Sequence, residues 1–305
     1  MYILVISVIL LYSPLIADSS DSLHYYLKSG GSAFTNNKYD EAILLFKNAL
    51  RFDSLNINAL RNLGIIYSDL EKYDTSMMYL KSALDIDSTD PALLNSLGIT
   101  CLEMGDTTKG ISYQRQAVKM DTTGSRFAAN LATVFLSMKR YSEVLPLLLP
   151  VLEKDTANHK VYYIIGIALR EQGKLQECES YFDHAAELNP DDLKYLYNRA
   201  VTKHQLGKVY DAEIGLKNVI DKRPGHFNAR QYLGVLYLMT GRPVDAREHL
   251  EAAVRLNPQS IEAQTALGIT YYKNNMPEEA KKIEAWLEER DPAAAKKMRQ
   301  LSGKE

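Results

Sequence analysis

The alternation of apolar and polar positions is clearest from Phe227 to Ser260, FNARQYLGVLYLMTGRPVDAREHLEAAVRLNPQS. Tyr232, Leu233, Leu236 and Tyr237 recur at the spacing of one helix face. After a short gap Ala246, Leu250, Ala253 and Val254 do the same. Gly241 lies between the stripes, where a left-handed residue ends a helix without steric cost. Asn257-Pro258 closes the second stripe, because proline cannot continue a helix. The pattern predicts two short amphipathic helices joined by a tight turn. Such a pair cannot bury its apolar faces alone, so the fold requires copies of it.

Copies recur at a step of 34 residues. A small residue just before the middle of the first helix falls at Gly30, Gly64, Gly98, Gly166, Gly234 and Gly268, with Ala132 and Ala200 in the gaps. Its size lets two helix backbones approach closely. Twelve positions later the second helix has its own small-residue site, at Ala42, Ser76, Gly110, Val144, Cys178, Ala212, Ala246 and Ala280. Loop residues such as Asp53-Ser54, Asp87-Ser88, Asn189-Pro190 and Asp291-Pro292 close the units.

This chain resembles the tetratricopeptide repeat family, whose period is 34 residues. The family's Leu-Gly-x-x-Tyr stands here as Leu63-Gly64 with Tyr67, Leu233-Gly234 with Tyr237, and Leu267-Gly268 with Tyr271. Eight repeats follow one another without insertion or deletion, at 23–56, 57–90, 91–124, 125–158, 159–192, 193–226, 227–260 and 261–294. The resemblance implies an all-α fold, an α-solenoid in which helix-turn-helix units stack into a right-handed superhelix with a concave face. Residues 295–305 follow as a C-terminal capping helix and tail: Met298 and Leu301 recur at helical spacing, and the helix is expected to close the last exposed core face. Glu284 and Glu288, which replace apolar residues of the eighth repeat, and the only tryptophan, Trp286, belong to the same cap.

Two repeats depart from the pattern. The first has Ser29 and Ala33 where larger apolar residues are usual, which suggests fraying. The fourth carries Pro146 and Pro150 in its second helix, with Val144 and Val151 at small-residue positions. Pro146 suits a first turn, whereas Pro150 removes an internal hydrogen bond and predicts a kink. A local change in curvature is the simpler reading and a functional hinge the alternative.

Composition narrows the function. Of 305 residues 46% are hydrophobic and 24% charged, and the net charge is −2, so no global field favours nucleic acid or an anionic membrane. Two cysteines build no disulfide framework. Residues 1–17, MYILVISVILLYSPLIA, are apolar and carry no charged side chain; they read as a signal peptide ending at Ala17, with an uncleaved membrane anchor as the rival. Residues 18–22 form a polar spacer. The chain is therefore expected to be exported, to the periplasm, cell envelope or exterior, and to touch a membrane only through an uncleaved N-terminus.

No catalytic constellation, metal motif or cofactor motif is found. Ser29-Gly-Gly-Ser32 has no lysine behind it and sits where a helix is required. Asp85, Asp87 and Asp90 faintly suggest a calcium loop, but Asp87 and Asp90 fit helix-ending and helix-starting roles better. Cys101 and Cys178 read as small core residues, with no base in reach.

Members of the family hold ligands on the second, fifth, sixth, ninth and twelfth positions of each first helix. Carried over, these positions bring a mildly positive groove, in which Asn62, Asn130 and Asn198 share the sixth position and Glu262 is the only acid at the second, fifth and sixth positions. The amides could bond a peptide backbone, or simply be soluble residues. The family's chaperone-tail clamp is missing, because the ninth positions are apolar, small or threonine. The candidate site lies in repeats 5 to 7: Lys160, Tyr163, Arg170, Lys194, Tyr197, Asn198, His204, Gln231 and Tyr232. Tyr163 is expected to align with Tyr197, and Lys160 with Lys194. The expected function is a non-catalytic protein-binding scaffold in cell-envelope assembly or tethering, holding a protein or peptide with an acidic or carboxylate-terminated segment and an aromatic or aliphatic anchor. The alternatives are an RNA-binding helical repeat and a substrate-targeting module for a separate enzyme chain.

Overall fold

The computed structural model describes residues 19–121 and 124–303. The apolar run 1–17 lies outside the described residues. The chain divides into two compact units, Met1–Leu131 and Ala132–Glu305. In the first, α1 (Ser19–Thr35) pairs with α2 (Tyr39–Phe52), α3 (Ile57–Asp69) with α4 (Tyr73–Ile86), and α5 (Pro91–Glu103) with α6 (Thr107–Met120). The division falls within α7 (Arg126–Ser137). In the second unit a 3-10 turn (Tyr141–Glu143) leads into α8 (Val144–Lys154). Then come α9 (His159–Glu171) with α10 (Leu175–Leu188), α11 (Leu193–Gln205) with α12 (Val209–Lys222), α13 (Phe227–Met239) with α14 (Pro243–Leu256), α15 (Ile261–Lys273) with α16 (Pro277–Arg290), and finally α17 (Pro292–Ser302). The fold is all-α, of the α-solenoid class.

The same chemistry starts and stops each pair. Side chains of Asn56, Asp90, Asn158, Asp192, His226 and Ser260 accept a backbone N–H in the first turn of the helix that follows. The turn within each pair needs one left-handed residue, found at Asn37, Glu71, Gly105, Lys139, Gly173, Gly207, Gly241 and Asn275, with φ between 57° and 84°. Four of these eight are not glycine, so the motif outweighs a local steric cost of about 1 kcal/mol. Asp87 Oδ1 accepts the N–H and hydroxyl of Thr89, and Asp90 Oδ1 accepts Ala92 N–H at 2.7 Å. Both carboxylates thus serve the loop between α4 and α5.

Each regular pair is locked where the small residue of the first helix meets a large side chain sixteen residues on. A Cβ added to Gly64 would lie 2.5 Å from Leu80 Cγ; one added to Gly234, 2.5 Å from Leu250 Cγ; one added to Gly166, 2.7 Å from Phe182 Cε1. Leu80, Phe182 and Leu250 are fully buried in these hollows. In the α5–α6 pair the partner is Gln114, and Gly98 also faces the Gly110 carbonyl, 2.9 Å from where its Cβ would stand. Gln114 is buried, and among the described residues its Oε1 has no hydrogen-bond partner, a cost that an apolar residue there would avoid. In the last pair the residue sixteen on from Gly268 is Glu284, and the hollow is filled by Met298 of α17.

Several boundaries differ from the expectation. The spacer at 18–22 is helical from Ser19: Asp21 sits in the first turn, where an acid suits the helix dipole, and Ala33 is buried, so α1 is continuous across the first repeat. The capping helix begins at Pro292, before residue 295, because Asp291 caps it by accepting Ala294 N–H at 3.0 Å and proline suits the first position. Met298 closes the core as expected, but Leu301 does not: it is 54% exposed. Glu284 and Glu288 clamp Arg299 of the cap, and Arg290 stacks on Trp286 at 4.6 Å. In the fourth repeat Pro146 falls in the first turn of α8, and the chain stays helical through Pro150 to Lys154. Cys101 and Cys178 are buried and free, and burial pushes both thiols up. Cys178 Sγ meets Thr202 Oγ1 at 3.8 Å, as Ser76 Oγ meets Thr100 Oγ1 at 3.2 Å three repeats earlier.

The glycine hollows give a paired test. Gly98→Ala should lower stability by about 1–3 kcal/mol, since the new methyl meets backbone that cannot step aside. Gly31→Ala, in the same kind of helix but with nothing within 4 Å of its Cβ, should raise stability by about 1 kcal/mol through helix propensity. Urea unfolding of the two variants decides the matter: equal effects of one sign would mean that helix propensity, not the close approach, governs these positions.

Candidate functional site

The face built by the first helices of the second unit holds the nine residues singled out from sequence. Lys160 and Lys194 are exposed, and the other seven are half-buried. Arg170, at the twelfth position of α9, donates from Nη1 to Asn198 Oδ1 of α11 at 2.5 Å. Asn198 Nδ2 donates to the Tyr163 hydroxyl at 3.2 Å and back to the Lys194 carbonyl at 2.8 Å. One step along, His204 Nδ1 and the Tyr232 hydroxyl lie 2.8 Å apart. Both bridges join a twelfth position to the sixth position of the next first helix, 28 residues on.

The aromatic rings interlock differently from the expectation. Tyr163 does not stand over Tyr197. Its ring neighbours are Phe182 at 5.7 Å and Tyr195 at 4.8 Å. Tyr197 instead meets His226 at 5.7 Å and, edge-on, Tyr232 at 6.2 Å. Asn198, beside Tyr197 on α11, holds the Tyr163 hydroxyl, and the Tyr163 ring lies against Tyr195 at the buried third position of α11. Gln231 lies beside Tyr232 on α13 and is half-buried. Burial raises the phenols of Tyr163, Tyr197 and Tyr232 above the usual range, against the opposing pull of the Arg170 cation. Tyr195, buried and paired with His159 at 2.9 Å, is pushed up to about 12 by burial and by Asp192.

The asparagines of the sixth position are not free amides. Asn62 Nδ2 donates to the Asn58 carbonyl at 2.8 Å, as Asn198 does to Lys194, and Asn130 Nδ2 reaches Asn95 Oδ1 at 3.4 Å. In the first unit this face surrounds a cavity of about 470 Å³ with a mixed lining, polar at Arg61, Asn62 and Asn130 and apolar at Phe34, Ile65 and Phe127 among others. Arg61 is held by Asn58 and by Asp90 at 3.4 Å. The sequence reading named these positions but not the cavity.

A second cavity, of about 720 Å³ and chiefly apolar, opens in the second unit between α13, α15 and α17. Sequence reasoning missed it. The available signal was the twelfth-to-sixth spacing: Arg170/Asn198 and His204/Tyr232 are followed by Leu238/Ala266, which cannot bridge. His159 and His226, whose rings meet Tyr195 and Tyr197, were also missed.

Tandem helix pairs that present a polar and aromatic first-helix face define a helical-repeat protein. Models of the tetratricopeptide repeat match residues 57–90, 91–123, 159–192, 206–261 and 238–301, and the chain belongs to that family. A crystal structure of the C-terminal part of a TPR repeat-containing protein from Cytophaga hutchinsonii superposes with a TM-score of 0.62 at 20% identity, covering 79% of this chain and 99% of that one. The Cut9–Hcn1 hetero-tetramer of the APC/C gives a TM-score of 0.59 at 14% identity, covering 83% of this chain and 51% of that one. At such identities the likeness is one of fold. No curated protein matches the sequence.

If Arg170 and Asn198 act as one bridge, a double-mutant cycle on Arg170→Ala and Asn198→Ala should show a coupling of about 1 kcal/mol in urea unfolding. Additive effects would mean that the two side chains are merely adjacent.

Proposed function

We propose that this chain is a non-catalytic scaffold that holds a segment of a partner protein against the first-helix face of its second unit. Tetratricopeptide repeats generally mediate protein–protein interaction and are generally not enzymes. The observation that carries the assignment to this face is the bridged wall itself. Arg170, Asn198, Tyr163, His204 and Tyr232 hold one another in place, so little side-chain entropy remains to be lost on binding. Lys160 and Lys194 stand exposed beside that wall, and among the described residues neither is in an ion pair. The partner segment that complements them is acidic, with an aromatic or aliphatic anchor against the tyrosines.

Co-purification from the native host identifies the partner. With it in hand, Tyr197→Ala should weaken binding by about 2 kcal/mol, whereas Lys194→Ala should cost less and its effect should fade with salt. Unchanged affinity in a Tyr163→Ala/Tyr197→Ala double variant would remove the wall from the binding site.

Residues 1–17 place the scaffold outside the cytoplasm in this reading; the support is their charge-free apolar composition. N-terminal sequencing of the protein from its host should start near Asp18. An intact Met1 on protein recovered from the cytoplasmic fraction would reject export.

A further inference from the structure

From α9 to α15 polar pairs bridge the first helices at two steps and not at the third, where a cavity opens. At the two preceding steps a polar pair spans neighbouring first helices, Arg170 to Asn198 and His204 to Tyr232. At the next step the same positions hold Leu238 and Ala266. Neither can hydrogen-bond, and alanine is too short to fill the gap. The space is walled on its third side by α17 and measures about 720 Å³. Its lining is mostly aliphatic, and the aliphatic surface runs out onto the rim: Met239 is 67% exposed and Leu301 54%. Leu301 was expected in the core, but the hollow beside Gly268 is taken by Met298, which leaves Leu301 facing this cavity.

The charges around the rim are unequal in availability. Asp291 caps α17 and Glu262 stands in the first turn of α15, so each carboxylate keeps its charge at a helix N-terminus whose dipole offsets it. Arg299, two residues beyond Lys297 on the same helix, is clamped by Glu284 and Glu288. Lys273 of α15 and Lys297 of α17 line the cavity, are exposed, and among the described residues belong to no ion pair. An apolar trough flanked by two available ammonium groups on different helices complements an amphipathic helix with an aliphatic face and acidic flanks. A single alkyl chain with one acidic head would fill the trough but leave Met239 and Leu301 wet, so a helix fits the exposed rim better than a lipid.

We propose that the α13–α15–α17 cavity docks an amphipathic, acid-flanked helix of a partner protein, with Lys273 and Lys297 selecting the acidic flanks. The proposal rests on the reading of the chain as a protein-binding scaffold and adds a site apart from the tyrosine wall.

The test uses the full chain and defined probes. A fluorescein-labelled amphipathic peptide of about 18 residues, long enough to form a helix on the protein, carries leucines on one face and glutamates on its flanks. A second peptide replaces the glutamates with lysines, and laurate serves as a lipid probe. Fluorescence polarisation should show saturable binding of the acidic peptide below about 1 mM, weakened by salt. Lys273→Glu/Lys297→Glu should lose about tenfold in affinity for it and come to prefer the lysine peptide. Met239→Glu/Leu301→Glu, also confined to exposed positions, should abolish binding of the acidic peptide. Leu44→Glu, at an equally exposed apolar position of α2 in the first unit, should leave it unchanged. The absence of saturable binding, binding indifferent to both double variants, or binding of laurate alone would each overturn the proposal. Peptide binding that falls with Tyr197→Ala and not with the cavity variants would overturn it while leaving the tyrosine wall as the site.

Discussion

The contact between a small residue on each first helix and a large side chain on its partner is the constraint from which the rest of the molecule follows. Removing the Cβ at positions such as Gly64, Gly166 and Gly234 lets Leu80, Phe182 and Leu250 seat fully buried against helix backbone. Side chains packed so closely define one register and one face, because interiors tolerate neither voids nor overlap. Once the pair is fixed, the turn between its helices must reverse within a few residues, and a left-handed residue appears there at each of the eight turns, even where it is Glu71 or Lys139. The face of the first helix turned away from the pair is then left to neighbouring repeats and to partners.

That outer face shows how a repetitive fold acquires local character. Its twelfth and sixth positions meet across consecutive first helices, so whatever the sequence puts there either joins the helices or parts them. Arg170 with Asn198 and His204 with Tyr232 join them and make a rigid wall in which the tyrosines are half-buried and their phenols hard to ionise. Leu238 with Ala266 leaves room. In the first unit the corresponding face mixes polar and apolar side chains, and its asparagines bond largely to their own surroundings. One backbone geometry therefore carries surfaces of three different kinds.

The end of the chain illustrates substitution of function at a fixed geometry. Glu284 stands where Leu80 and Leu250 stand in their pairs, and a carboxylate cannot fill an apolar hollow. It turns to Arg299 and Tyr272 instead, and α17 supplies Met298 to the vacancy. The cap is thus more than a polar cover; its apolar side completes the core and its remaining side walls a cavity.

The sequence by itself determined the helix pairs, their step, the close-approach positions and the family, because these are periodic and local: each copy repeats the same answer to the same steric problem. It also located the first-helix face, since every third or fourth residue of a helix must share a side. What only the tertiary structure decided was how side chains from different repeats settle against one another. Tyr163 packs on Tyr195 and not on Tyr197, with its hydroxyl held by Asn198, and Met298 fills the hollow beside Gly268 while Leu301 lies on the rim. Both outcomes depend on contacts between side chains of different helices, and no pattern read along the chain ranks the candidates for them.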